Sequence, residues 1–357
     1  MKKWPELVKV FILACILSAV GILINSPLKT EDSRRDVVLA AEEEVLDKLY
    51  SVREEKEFKL DIVTGLKIPL EEEKIYYSVI IDNISYARPQ YGLSLAPLVY
   101  ELPAEGGITR FLAIFDSTEM ERIGPVRSAR PYFIDKASEH GLLLVHCGGS
   151  PDALSIIANT KYPDMDELRN GSYFFRDKTR SAPYNLFVTP ENIVKYAGVR
   201  NYSLDSINTG FDFVESISED ESSDGLSWKC VYTSTYNVLW EYSAESNRYT
   251  RYIRDQVHMD ELTQEPITAA NVVIQYISYK VLDSAGRLQL SSKNEGSGAV
   301  LTSGHVIECK WEMTDNGTIE YFDMEGNKVK FTPGNTWIQT LMESEDVRTT
   351  IPILREQ

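Results

Sequence analysis

The chain has 357 residues, of which 43% are hydrophobic and 25% charged, with a formal net charge of −17. That length suffices for two ordinary domains plus extra segments, and the composition is that of a folded protein with a core. The acidity excludes general nucleic-acid binding, which needs a basic face over the phosphates, but leaves room for a local basic pocket.

Residues 1–28 read as a membrane anchor or signal segment. Lys2, Lys3 and Lys9 precede an unbroken apolar or small run from Val10 to Ile24. The run is long for a signal-peptide core and short for a spanning helix, which usually takes about 20 residues. No small-x-small cleavage site follows it, which favours an uncleaved anchor over a cleaved export signal. "LAC", ending at Cys15, has the look of a lipidation site, although too few apolar residues precede it and the run continues past it. All three readings leave the bulk of the chain on the extracytoplasmic face. Residues 29–66 form a charged stalk helix or linker, with Val37, Ala41, Val45, Leu49 and Val52 at helical spacing over 36–59.

Residues 67–214 read as an α/β domain. "YYSVIID" from Tyr76 is an apolar strand, and "APLVYEL" and "ITRFLAIF" follow it around a turn at Gly106–Gly107. A helix is expected from Ser128, as N-cap, to about His140, stopped by Gly141. "LLLVHC" is a strand of the buried kind, and Ser150 or Asp152 caps a second helix through Ala158. The polar, acidic stretch 215–225 is the natural linker. Residues 226–345, with a tail over 346–357, read as a mostly antiparallel β domain of alternating, aromatic-rich strands. The overall class is therefore α+β. No repeat and no nucleotide-binding loop is present. Four cysteines without a C-x-x-C pair and four scattered histidines offer no metal site, and nothing names a cofactor. Cys230 and Cys309, in strand-like runs, are expected as buried free thiols, with a bridge between them as the alternative.

The first domain gathers polar residues at turns beside apolar strands. Arg88, Arg110, Arg127, Ser128, Arg130, Ser150, Asp152, Arg176, Asp177 and Arg180 are candidate ligand-binding residues. Strand ends and helix starts of an open α/β sheet converge on one edge, where ligands bind. Arginine suits carboxylate and phosphate there, because its planar fork donates two parallel hydrogen bonds. "IGPVRSARPYFID" places Arg127 and Arg130 beside a helix N-terminus that is already positive, an unfavourable arrangement unless an anion neutralises them. That anion is either a ligand or a carboxylate of the chain, such as Glu101, Glu105, Asp82 or Asp135. Catalytic candidates are Glu105 with Asp82 or Asp177, as a carboxylate pair for glycan cleavage, and His146 for proton transfer. Cys147 beside His146 is a poor nucleophile pair, since strand neighbours point to opposite faces. In the second domain Trp228, Tyr236, Trp240, Tyr242, Tyr249, Tyr252 and Trp311 suit either sheet packing or stacking on sugars, packing being the stronger expectation. "GSGAVLTSGH" from Gly296 reads as a glycine-rich turn able to approach a ligand closely.

"ARPQYGLSLAPLVYE", "EGGITRFLAIF", "IGPVRSARPYFID", "GGSPDA", "YFFRD" with "APYNLF", "YTRYIRDQVHMD", "NVVIQY" and "PGNTWI" occur in this order over roughly residues 75–340. In these blocks the chain resembles the YerB-type lipoproteins, a bacterial family. The resemblance implies an exported, two-domain envelope protein and supplies no catalytic residue. The expected function is recognition of an anionic cell-wall component, peptidoglycan or a phosphate-rich polymer, through the arginine edge, with the membrane contacted through the N-terminus. The alternatives are a glycan-cleaving wall enzyme and a scaffold for another envelope protein.

Overall fold

The computed structural model describes residues 58–117, 119–214, 226–284, 286–290, 294–315, 317–343 and 352–354. The leader with Cys15, the acidic linker and most of the tail lie outside the described residues. So does the expected stalk helix, save Phe58 and Lys59, which open a short strand, Phe58–Leu60, instead. The described residues from Lys59 onward form one compact unit.

Its centre is a ten-stranded mixed sheet. From one edge to the other the strands are Ile319–Asp323, His305–Met313, Glu295–Thr302, Asn271–Ile277, Thr336–Met342, Leu98–Pro103, Thr109–Phe115, Tyr77–Asp82, Leu144–His146 and Asp164–Asp166. Thr336–Met342 is the joint. It runs parallel to Asn271–Ile277 on one side and to Leu98–Pro103 on the other. The strands on either side of the acidic linker therefore belong to one sheet. Four α-helices are found among the described residues, Pro131–Glu139, Pro151–Thr160, Glu167–Asn170 and Pro190–Arg200, and the class is α+β as expected.

Both faces of the central strands are covered, which is why "YSVIID" and "TRFLAIF" are buried at every position rather than at alternate ones. On one face Tyr132, Phe133, Ile134 and Ala137 of the first helix pack with Ile80, Leu112 and Ile338. On the other face Val79, Phe111 and Trp337 pack with residues of a second sheet, built on Leu226–Thr233, Tyr236–Ser243 and Arg248–Ile253. Trp337 meets Trp240 edge-on at 5.4 Å and Phe111 at 5.3 Å. Most aromatics of the second segment thus pack, as their alternation implies. Cys230 and Cys309 are buried free thiols.

Two local expectations change, the start of the first helix and the glycine-rich turn. The helix begins at Pro131, not Ser128, because the chain stays extended through Ala129, whose amide donates to the Gly148 carbonyl at 2.9 Å. It does end before Gly141, which takes the left-handed conformation (φ 72°) that glycine allows. Ser150 caps the second helix, accepting from the Ala153 amide at 3.3 Å. The glycine-rich stretch from Gly296 is a strand, Glu295–Thr302, not a turn. Its register puts Gly296 opposite Trp311, and a Cβ at Gly296 would overlap the indole ring.

A strand shared by two chain segments makes folding cooperative. A single calorimetric unfolding transition is expected, and a fragment ending at residue 214 should show none of its own. A separate N-terminal transition would contradict the shared sheet. Trp337→Ala should cost about 3–5 kcal/mol in urea unfolding.

Candidate functional site

The segment Ile123–Arg130 crosses the ends of the central strands. Val126 bridges to Ile81, and the Arg127 amide donates to the Ile80 carbonyl at 2.8 Å. This holds Arg127 beside Asp82, the last residue of its strand, and its Nε donates to Asp82 Oδ2 at 2.5 Å. Arg130 grips Glu105 with both arms of its fork, Nε to Oε1 at 2.5 Å and Nη2 to Oε2 at 3.0 Å. Arg110 Nη2 lies 3.7 Å from the same carboxylate, and its Nη1 donates to the Ser128 carbonyl at 3.3 Å. The anion beside the helix start is therefore Glu105. Burial pushes the Glu105 pKa up, but the Arg130 hydrogen bonds and the two arginine charges more than offset this and leave it below its ordinary value.

The other expected site residues fall into separate places. His146 is fully buried, with Nδ1 2.8 Å from the Gly148 carbonyl and Nε2 3.1 Å from Asp164. Cys147 faces elsewhere, donating to Glu167 at 3.2 Å, and burial pushes its thiol pKa up to about 12. Arg176 pairs with Glu167 at 3.2 Å. Asp177 accepts from Arg122 at 2.8 Å and from the Thr179 amide. Asp152 is largely exposed, 3.8 Å from Arg287.

Arg88 and Arg180 differ from the rest. Arg88 donates to the side chain and carbonyl of Asn83, at 3.0 and 2.6 Å, and lies 5.4 Å from the centre of the Tyr236 ring. Arg180 donates to the carbonyls of Ala87 and Pro89, at 3.2 and 2.7 Å. Among the described residues neither has a carboxylate partner. Both line one cleft of about 500 Å³, together with Tyr86, Tyr184 and Glu261. Arg127 lies 5.2 Å from the Tyr184 ring centre, and Tyr86, itself 75% exposed, stacks on Tyr184. Burial, reinforced by Arg251 and opposed by Tyr236 and by the more distant carboxylates of Glu101 and Asp82, leaves the Arg88 pKa below its ordinary value. An anion in the cleft would relieve that electrostatic cost.

Behind Arg88, reached through Asn83 and Tyr236, runs a buried polar chain that is only partly legible in the sequence. Glu101 Oε2 accepts from Arg251 Nη2 at 2.7 Å, and both side chains are wholly buried. Glu101 Oε1 accepts from Tyr236 at 2.6 Å and Thr109 at 2.7 Å. Arg251 Nη1 donates to His258 Nδ1 at 2.5 Å, and His258 Nε2 lies 2.7 Å from Gln90 Oε1. Gln90 Nε2 then donates to the Asp82 carbonyl at 2.9 Å. Burial and the Arg251 charge hold the His258 pKa well below its ordinary value, so the ring is neutral and its tautomer is set by these two bonds. A readable signal did exist. Arg251 alternates with Tyr249 in "YTRYI", so it lies on the apolar face of its strand.

Family models describe two parts of the chain as the N-terminal domain (residues 63–203) and the C-terminal domain (residues 228–338) of DUF3048, "Protein of unknown function". The chain is also 32% identical over 281 residues to "Putative lipoprotein YerB" of Bacillus subtilis (strain 168), covering 77% of this chain and 84% of that protein. It belongs to the DUF3048 family. The crystal structure of the Bacillus subtilis YerB protein superposes with a TM-score of 0.72 at 32% identity, covering 79% of this chain and 96% of the other. Both DUF3048 segments contribute to the buried chain, Glu101 and Gln90 from the first, Arg251, Tyr236 and His258 from the second.

Removing one member of the buried pair strands the other. Glu101→Gln or Arg251→Met alone should cost about 3–5 kcal/mol, and the double variant should recover much of it, measured by urea unfolding. A lowered folded-state pKa for Glu105 means its ion pair stabilises above the unfolded carboxylate value, about 4.3, and is lost as pH falls through the folded one. Glu105→Gln is therefore expected to cost about 1–2 kcal/mol at pH 7, with a difference that shrinks as pH falls below the unfolded carboxylate value and is lost through the lowered folded one.

Proposed function

We propose that this DUF3048 chain is a membrane-attached envelope protein on the extracytoplasmic side. There it binds an anionic cell-wall component, peptidoglycan or a phosphate-rich polymer, in the cleft of Arg88 and Arg180. The observation that carries the reading is that, among the described residues, these two guanidinium groups line a cleft and hydrogen-bond to backbone carbonyls and the Asn83 amide, whereas Arg127 pairs with Asp82 and Arg130 and Arg110 share Glu105. Arginine held in place by carbonyls keeps its charge and its orientation, and so is ready for phosphate or carboxylate. Tyr86 and Tyr184 add flat surface on which sugar rings can pack. The name of the Bacillus subtilis relative, with its word "lipoprotein", and the apolar run after Lys9 support attachment to a membrane. Among the described residues no helix is long and apolar enough to cross one.

Glycan cleavage draws less support. A general acid needs a raised pKa, and that of Glu105 is lowered by its arginines. Asp82 is likewise tied to Arg127.

The test is sedimentation of the full chain in detergent with isolated sacculi and with a purified phosphate-rich wall polymer. Saturable binding that weakens with salt is expected, about tenfold weaker for Arg180→Ala. Unchanged binding by Arg88→Ala/Arg180→Ala would remove the cleft. Release of glycan fragments would move the assignment to the enzyme, and a crosslinked envelope protein without polymer binding would move it to the scaffold.

A further inference from the structure

The cleft of Arg88 and Arg180 also contains a carboxylate that the rest of the chain leaves idle. Glu261 lines it, and among the described residues its side chain has no hydrogen bond and no ion pair, with those arginines or with any other group. Its place is nevertheless fixed by the backbone. The Glu261 amide donates to the Gln90 carbonyl at 2.7 Å. Its neighbour Asp260 is wholly buried and accepts from the amides of Gly92 and Ser94 at 3.1 and 2.9 Å. The carbonyl one residue earlier, that of Pro89, receives Arg180 Nη2 at 2.7 Å. Two consecutive carbonyls therefore hold an anionic residue and a cationic one in the same cleft, and their charges do not pair. A ligand with a negative charge alone would be repelled by Glu261, and one with a positive charge alone by the arginines. The arrangement is complementary to a ligand that carries both signs.

The open atoms select the anionic half. Arg88 engages Asn83 through Nε and Nη2, and Arg180 engages Ala87 and Pro89 through Nη1 and Nη2. Arg88 Nη1 and Arg180 Nε have no partner among the described residues. Unlike Arg110 Nε and Arg122 Nε, they are not sealed from solvent. Neither arginine thus keeps two neighbouring nitrogens free, the fork that grips a planar carboxylate. Single donors from two separate guanidinium groups suit the oxygens of a tetrahedral phosphate. The cationic half falls to Glu261, an acceptor with two oxygens, for which a primary ammonium supplies the donors.

We infer that the cleft takes a phosphate group bearing a primary ammonium, with the phosphate on Arg88 Nη1 and Arg180 Nε and the ammonium on Glu261. This rests on the reading of the cleft as an anion site and narrows it, to phosphate in place of carboxylate and to a ligand of mixed charge in place of a plain polyanion. Arg88 and Arg180 come from the first DUF3048 segment and Glu261 from the second, so both segments build the site.

The test is calorimetric titration of the full chain in detergent with three small probes. They are O-phosphoethanolamine, glycerol phosphate, which lacks the amine, and D-alanyl-D-alanine, which has a carboxylate in place of the phosphate. O-phosphoethanolamine is expected to bind saturably, about fivefold more tightly than glycerol phosphate. Glu261→Gln should weaken the first and tighten the second, so that the preference disappears. The melting temperature should hold, because the carboxylate has no partner in the described residues. Glycerol phosphate bound as tightly as O-phosphoethanolamine overturns the inference and leaves the anion cleft standing. So does a preference that Glu261→Gln leaves intact. Tighter binding of the dipeptide than of either phosphate overturns the choice of phosphate. Absence of saturable binding by all three overturns the inference, whereas polymer sedimentation that still depends on Arg180 would keep the cleft.

Discussion

Thr336–Met342 is hydrogen-bonded along both edges, to Asn271–Ile277 and to Leu98–Pro103. Everything else in the unit follows from that insertion. It sets Trp337 between Phe111 of the first segment and Trp240 of the second. It also brings the second sheet over Glu101, so that Arg251 reaches a carboxylate from which water has been excluded. Two charges buried this way are tolerable only when every remaining lone pair and donor is engaged. Tyr236, Thr109, His258 and Gln90 do most of that, leaving Arg251 Nε as the unpartnered atom.

The arginines sort by what holds them. Where the extended segment before the first helix passes the strand ends, carboxylates are at hand: Arg127 pairs with Asp82, and Arg130 and Arg110 share Glu105. Where the loops around Arg88 and Arg180 meet, the partners are carbonyl and amide oxygens, and those fix direction without cancelling charge. An acidic chain thus keeps a small positive site on a scaffold of dipoles. Glu261 at the same cleft places a negative charge beside those two guanidinium groups.

The strands and the α+β class were legible because burial on both faces writes continuous apolar runs such as "YSVIID" and "NVVIQYI". The joint was not. "TWIQTLM" carries Gln339 and two threonines, and nothing local says that its two neighbours lie in different parts of the chain. Ser128 looked like a cap because capping is judged from nearby residues, while the pairing of Ala129 with Gly149 that keeps the chain extended comes from a distant one. Gly296 carried a real signal that sequence alone could not resolve, since its reason is the indole across the strand. The arginines were found, but their partners depend on which loops meet. Only the structure distinguishes Arg127 at Asp82 from Arg180 at the carbonyls of Ala87 and Pro89.

The place of Thr336–Met342 in the chain also sets an order of events. A ribosome completes Leu98–Pro103 and its hairpin partner Thr109–Phe115 first, and the outer edge of that hairpin waits for Thr336–Met342, far later in the chain. During that interval an apolar strand with free amides and carbonyls is open to pairing with any neighbour. Such long-range closure is slow, because the intervening loop must be ordered before contacts reward it. That edge of the nascent chain therefore stays open to wrong pairing across the whole intervening segment, until Thr336–Met342 has been made.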